Sequence, residues 1–158
     1  RPLLDLTIRD NVTTAVLYGR RGIDRIAPAR DEAHRILTFT GLGAKAHTLP
    51  GQLGLADRKR LEVARALGLS PEILLLDEVF AGLNAREIGG AIELTFRIRD
   101  EHNVTILMIE HVMKAIMNTC SRVMALHYGV KIADGDPAEV ANHPEVIQAY
   151  LGAEYAES

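Results

Sequence analysis

The sequence predicts an α/β fold preceded by a helical lobe, and two observations carry that prediction. Residues 1–70 show only the 3.6-residue period of amphipathic helices, whereas beyond Pro71 short apolar runs alternate with helical stretches, the texture of a parallel sheet. The composition allows one sizeable core: 158 residues, 47% hydrophobic and 25% charged.

Each element has a local reason. In "TIRDNVTTAVL" Thr7 is placed as an N-cap with Asp10 three residues on, and Ile8, Val12, Ala15 and Val16 share one helical stripe. The polar stretch "YGRRGIDRIAP" reads as a loop. "ARDEAHRILTFTG" repeats the helical period through Ala33, Ile36, Leu37 and Thr40 and stops at Gly41, a suitable residue just past a helix end. Residues 41–52 read as loop, and from about Gly54 "LADRKRLEVARALGL" forms a further amphipathic helix whose arginines and Lys59 are assigned mostly to a solvated face. After Pro71, "ILLL" (73–76), "VTILMI" (104–109) and "RVMAL" (122–126) have the nearly continuous apolar character of parallel strands covered on both faces. Helices are expected from about Ala85 and from about Val112 to Thr119, each gap being long enough for a crossover connection. "HYGVKIADG" predicts a tight hairpin around Gly129, and two short helices close the chain, the first capped by Asp136 with Pro137 at its first position.

Charge and cysteine content exclude several functions. A net charge of −3 gives no broad basic surface for a phosphate backbone, so nucleic acid is not an expected partner. Cys120 is the single cysteine and has no internal disulfide partner; it reads as a small semi-buried thiol in a cytoplasmic protein. No apolar run approaches the ~20 residues needed to span a bilayer. The chain opens on Arg1 instead of Met, which predicts a boundary within a longer polypeptide.

The chemistry concentrates in "PEILLLDEVFAGLN", residues 71–84, where four aliphatics run into the adjacent carboxylates Asp77 and Glu78. The carboxyl end of a parallel strand is where open α/β sheets place their ligands. An aliphatic strand ending in Asp is also the second nucleotide motif of P-loop NTPases, in which the Asp holds Mg²⁺ and a following Glu stands ready to take a proton from water. The simpler alternative is that the doublet only terminates a strand and caps the next segment.

Flanking residues extend the pattern, and over nearly its whole length the chain resembles the nucleotide-binding domain of ABC transporters. "LADRKRLEVARALGLSPEILLLDEVFAGLN" is similar to the family's signature helix, Walker B strand and D-loop in that order, and "VTILMIEH" to its next strand with the switch histidine, here His111. "RVMALHYGVKIADGDPAEVANHPEVIQAYLG" resembles the closing hairpin and terminal helices, its ending close to that of the ATPase subunits of branched-chain amino-acid importers. "LTIRDNV" resembles the segment after the Q-loop.

The resemblance implies a RecA-like P-loop NTPase half with a parallel sheet, preceded by an ABC-type helical subdomain. Residues 1–70 would be that subdomain, 71–135 the core half, and 136–158 the C-terminal helices. It implies ATP and Mg²⁺ as cofactors, transmembrane permease subunits and a second ATPase subunit as partners, and a place on the cytoplasmic face of the membrane. Asp77 would anchor Mg²⁺ through water. Glu78 would be the general base, a role of about 10²–10⁴ in rate. His111 would contact the γ-phosphate, and Asn84 would occupy a D-loop position where the family usually has Asp.

The chain departs from the family in two places. Leu53-Gly54-Leu55-Ala56-Asp57 aligns with the family's LSGGQ, so Gly54 lacks the serine hydroxyl, and Leu55 and Ala56 replace two glycines. What this segment keeps for an anion is the positive end of a helix. "LPGQ" (49–52) is a competing match that would shift the helix by four residues. The second departure is that none of the four lysines, Lys45, Lys59, Lys114 and Lys131, lies in a GxxxxGK[ST] sequence; "GLGAKA" (41–46) lacks its spacing and hydroxyl. The expected consequences are an apolar sheet face left uncovered and negligible ATP hydrolysis by the chain alone. A soluble ABC-type ATPase acting on nucleic acid and a non-catalytic domain of the same fold are the alternatives.

Overall fold

The computed structural model describes residues 2–151. The chain divides into two compact units, Arg1–Ile109 and Glu110–Ser158. The first holds helices α1 (Ile8–Leu17), α2 (Ile26–Phe39) and α3 (Leu55–Gly68), strand β1 (Ile73–Asp77), helix α4 (Ala85–His102) and strand β2 (Thr105–Ile109). The second holds α5 (Met113–Thr119), β3 (Val123–His127), β4 (Val130–Gly135), α6 (Pro137–Ala141), α7 (Pro144–Val146) and a π-helical turn, Ile147–Leu151. The sequence-derived terminal stretch beyond residue 151, Gly152 included, lies outside the described residues.

The helical part of the first unit forms as its sequence dictates. The Thr7 hydroxyl accepts from Asp10 N–H at 3.1 Å and donates to Asp10 Oδ2 at 2.6 Å, closing the first turn of α1. Ile8, Val12 and Val16 from α1, Ala33, Ile36 and Leu37 from α2, and Leu61, Ala64 and Leu67 from α3 are buried in one core with Leu74 and Leu76 of β1. Gly41 sits at φ +78, and Leu42 N–H reaches Leu37 O at 2.7 Å while Gly41 N–H reaches Thr38 O at 3.1 Å, so α2 ends in a Schellman turn. Helix α2 starts three residues before the expected Ala29, because Pro28 falls in the first turn, where its missing N–H has no partner to lose. The stretch read as loop contains two single 3₁₀ turns, Gly43–Lys45 and Pro50–Gln52; the tempting "GLGAKA" is therefore the end of α2 and the first of these.

Strands β1 and β2 are parallel, with Leu75 opposite Leu107 and Asp77 opposite Ile109. Alternation divides their apolar residues between two faces. Leu74 and Leu76 enter the core, whereas Ile73, Leu75, Leu107 and Ile109 are 60%, 70%, 61% and 67% exposed. A strand that is apolar on both faces is built to be covered twice; among the described residues one face is covered, in line with the uncovered apolar sheet face expected from sequence. Contiguous exposed apolar surface of this kind drives association. The 158-residue chain is therefore expected to self-associate in light scattering, and Leu75→Lys with Leu107→Lys to abolish that. A monodisperse, unmodified monomer would refute it.

In the second unit the structure corrects the sequence reading. The run 122–126, expected as a third parallel strand, pairs antiparallel with β4 in a separate two-stranded sheet, among the described residues. The reason is proximity: the Tyr128-Gly129 turn, with φ of +46 and +80, folds the next strand straight back and supplies the partner. Arg122 holds the hairpin together with two hydrogen bonds to Asp134 at 2.9 and 3.1 Å, and Lys131 donates to the same carboxylate at 3.1 Å. The Arg122 hydrogen bonds first, then that from Lys131, hold the Asp134 carboxyl below the usual carboxylate range, against a smaller opposing effect of desolvation. A carboxyl lowered in the folded state stabilises it above its unfolded pKa, near 3.9, and that contribution disappears as pH falls through the lower folded value. The Asp134 carboxyl ¹³C signal is expected to titrate at higher pH in Arg122→Ala than in the parent chain; coincident titrations would exclude the pairing.

Candidate functional site

The loop before α3 is tied down from within the helix. Arg58 donates from Nε to Leu53 O at 2.9 Å and from Nη2 to Gly51 O at 3.2 Å, while Leu53 is buried in the core. Gly54 is then the N-cap of α3, extended at φ −68 and ψ 170, with no side-chain cap. A Cβ built on Gly54 meets nothing within 4 Å, so a serine hydroxyl would fit there. The helix begins in the register that the Leu53–Asp57 alignment requires, and "LPGQ" contributes only a 3₁₀ turn. Leu55, Ala56 and Asp57 form the first turn, whose free N–H groups make it locally positive. Asp57 in that turn is bonded by Lys45 and lies 3.7 Å from Arg60 Nη1, so its own negative charge is largely answered.

At the other side of the site, β1 delivers Asp77 to the end of the sheet, on the open face shared with Ile73 and Leu75, and the side chain is exposed. Glu78 N–H extends the ladder by one bond to Ile109 O at 2.8 Å. The chain then turns sharply, because Glu78 adopts φ +48. A non-glycine residue in the left-handed region costs on the order of 1–2 kcal/mol and persists only when its surroundings hold it. Here the Glu78 carbonyl accepts from Lys59 Nζ at 2.6 Å and from Ala81 N–H at 3.2 Å. A hydrogen bond from a charged donor at an exposed site, together with the bond from Ala81 N–H, acts against that cost. Lys59, read from sequence as mostly solvated, is thus half-buried, with its ammonium on the Glu78 carbonyl. The sequence did carry a signal: Ala56, Lys59, Arg60 and Val63 recur at helical spacing, and all four line the same apolar cleft against Leu76, Phe80 and α4.

Beyond the doublet, Gly82 turns at φ +77, and a Cβ there would lie 2.9 Å from Leu55 Cδ2. The first turn of α3 therefore packs directly on the turn that follows β1, a contact available to a leucine and not to the glycine the alignment would otherwise place at 55. Asn84 is the N-cap of α4: its Oδ1 accepts from Arg86 and Glu87 N–H at 3.0 Å each, and Glu87 returns a carboxylate to Asn84 N–H at 2.9 Å. An Asp would cap equally well. Because Oδ1 is taken up by the helix, any further contact of Asn84 would fall to its Nδ2.

The first unit thus contains Asp77, Glu78, the Gly54–Asp57 turn and Asn84. His111 is exposed, two residues past Ile109, and belongs to the second unit. Among the described residues no three His, Cys, Asp or Glu side chains cluster as a metal cage. A single exposed carboxylate at a strand end suits a hard cation that keeps most of its waters and takes its remaining ligands from a phosphate, as Mg²⁺ does.

The fold is the α/β fold of the P-loop NTPase class, with a parallel sheet. The ADP conformation of MJ1267, an ATP-binding cassette of an ABC transporter, superposes with a TM-score of 0.80 over 95% of this chain and 64% of that chain, at 22% identity. A family model described as "Branched-chain amino acid ATP-binding cassette transporter" matches residues 130–156. The chain is 44% identical over 124 residues to the high-affinity branched-chain amino acid transport ATP-binding protein LivG of Salmonella typhimurium, covering 78% of this chain and 49% of LivG. It is 42% identical over 124 residues to BraF of Pseudomonas aeruginosa, again covering 78% of this chain and 49% of the relative. The chain is similar to the ABC nucleotide-binding domains that are the ATP-binding subunits of branched-chain amino-acid importers. It spans about half the length of these curated relatives. No helix among the described residues is long and apolar enough to cross a membrane.

Proposed function

We propose that this chain works as the Walker B-bearing portion of the ATP-hydrolysing subunit of an ABC importer for branched-chain amino acids. The observation that carries the reading is the acidic doublet Asp77-Glu78 at the carboxyl end of a parallel strand, in a chain with LivG-like sequence. In this reading Asp77 holds Mg²⁺ through water. Mg²⁺ bound there with ATP would supply neutralisation of the charge that develops on the phosphates. Glu78 accepts the proton of the attacking water, and His111 orients that water. The Gly54–Asp57 turn offers helix-start N–H groups to ATP held by a second ATPase subunit, and Asn84 adds an amide across that dimer. Residues 1–70 act as the helical subdomain that docks on a permease subunit, 71–135 as the core half and 136–158 as the closing helices. The subunit is then peripheral on the cytoplasmic face.

The test is to purify, from membranes, an ATPase subunit that contains this segment. The expected result is co-purification with a polytopic permease and hydrolysis stimulated by a branched-chain amino acid. Salt-sensitive nucleic-acid binding, or ATP binding without turnover, would overturn it.

A further inference from the structure

We propose that Lys59 is a positioning residue for Glu78, so that the orientation of the general base depends on the helix that begins at the signature turn. The proposal rests on the reading of Glu78 as that base. Three observations carry it. Glu78 is one of few non-glycine residues with positive φ, at +48, and it sits where the chemistry is assigned. Its peptide is held at both ends: N–H by Ile109 O at 2.8 Å, and C=O by Lys59 Nζ at 2.6 Å and Ala81 N–H at 3.2 Å. Of these three holds, only the one from Lys59 comes from α3.

The placement on α3 gives the contact its consequence. Lys59 lies one turn after Leu55, about 6 Å along the axis of a rigid helix, and Leu55 itself abuts the turn at Gly82. A ligand that shifts the start of α3 therefore bears on the bond between the Lys59 ammonium and the Glu78 carbonyl. Loss of that bond frees the Glu78 peptide to leave the left-handed region, which swings the carboxylate away from the strand end.

The experiment compares Lys59→Met, which keeps the length of the side chain and removes the donor, with Lys59→Arg, which keeps a donor. Backbone chemical shifts of Glu78 and Val79 in the 158-residue chain report the left-handed conformation. Steady-state kinetics on an ATPase subunit containing the segment report the catalytic effect. The Met variant is expected to move the Glu78 shifts away from left-handed values and to lower kcat about tenfold, the scale of one charged hydrogen bond, with KM for ATP within about twofold. Arg should restore most of both. Adding Lys59→Met to Glu78→Gln should cost nothing further, because a base already removed cannot be misplaced. Unchanged Glu78 shifts, or a kcat loss that Arg does not repair, would overturn the positioning role. Full turnover in Glu78→Gln would instead overturn the reading of Glu78 beneath it, leaving the conformational result standing by itself.

Discussion

Glu78→Gln is expected to lower kcat for Mg-ATP hydrolysis by about 10²–10⁴-fold in an ATPase subunit that contains this segment, while ATP still binds. Glutamine keeps the size and hydrogen-bonding reach of the side chain and removes its capacity to accept a proton, so binding and turnover should separate. The backbone around residue 78 should survive the change, because its own N–H and C=O are bonded to Ile109 O, Lys59 Nζ and Ala81 N–H, and the substitution leaves both backbone groups in place. Steady-state hydrolysis and equilibrium binding of a fluorescent ATP analogue, measured on the same preparations, check both halves. Turnover within a few-fold of the parent would show that the water is activated elsewhere. The 158-residue chain alone should show no turnover above background in either form, since its sequence contains no GxxxxGK[ST] to cradle phosphates.

Much of this arrangement was legible in the sequence because it rests on local rules. The Thr7 cap, the Gly41 stop and the Asp136-Pro137 start each depend on residues within one turn of one another. The parallel pairing of 73–77 with 105–109 followed from two apolar runs with a helix between them. The misread strand at 122–126 shows the limit of that inference. A short apolar run states that burial is wanted on some face, and only the partner decides between a parallel neighbour and a hairpin return. In the structure just one residue of β3, Ala125, is buried, whereas Met124 and Leu126 are exposed. Two features of the site were hidden for a different reason. The left-handed turn at Glu78 is a tertiary outcome with no local signal in Asp-Glu-Val-Phe, and the role of Lys59 depends on a carbonyl 19 residues away in sequence. Lysine on a helix is usually solvated, so its charge pointed outward while its position in the stripe pointed inward.

Phe80→Ala is expected to be the most destabilising single change near the site, at about 3–5 kcal/mol, the range for truncating a buried aromatic ring. Phe80 is 1% exposed and is among the largest fully buried side chains, although it lies in the turn between β1 and α4 instead of within either element. Its ring shares the cleft with Leu76 of β1, Val63 of α3 and Leu94 and Ile98 of α4, so it joins all three. Its carbonyl also accepts from Leu83 N–H at 3.2 Å, which shapes the turn through Gly82. Set against a total stability of about 5–15 kcal/mol for a domain, such a loss brings the first unit close to unfolding at ambient temperature. Urea denaturation followed by circular dichroism should show the midpoint fall steeply for Phe80→Ala and much less for Phe80→Leu, which keeps an apolar group in the space. Because Phe80 follows Glu78 by two residues, the ring that anchors the turn also fixes where the acidic doublet ends and the next helix begins. If Phe80→Ala proved as stable as the parent, that anchoring would have to come from the hydrogen bonds to Glu78 alone.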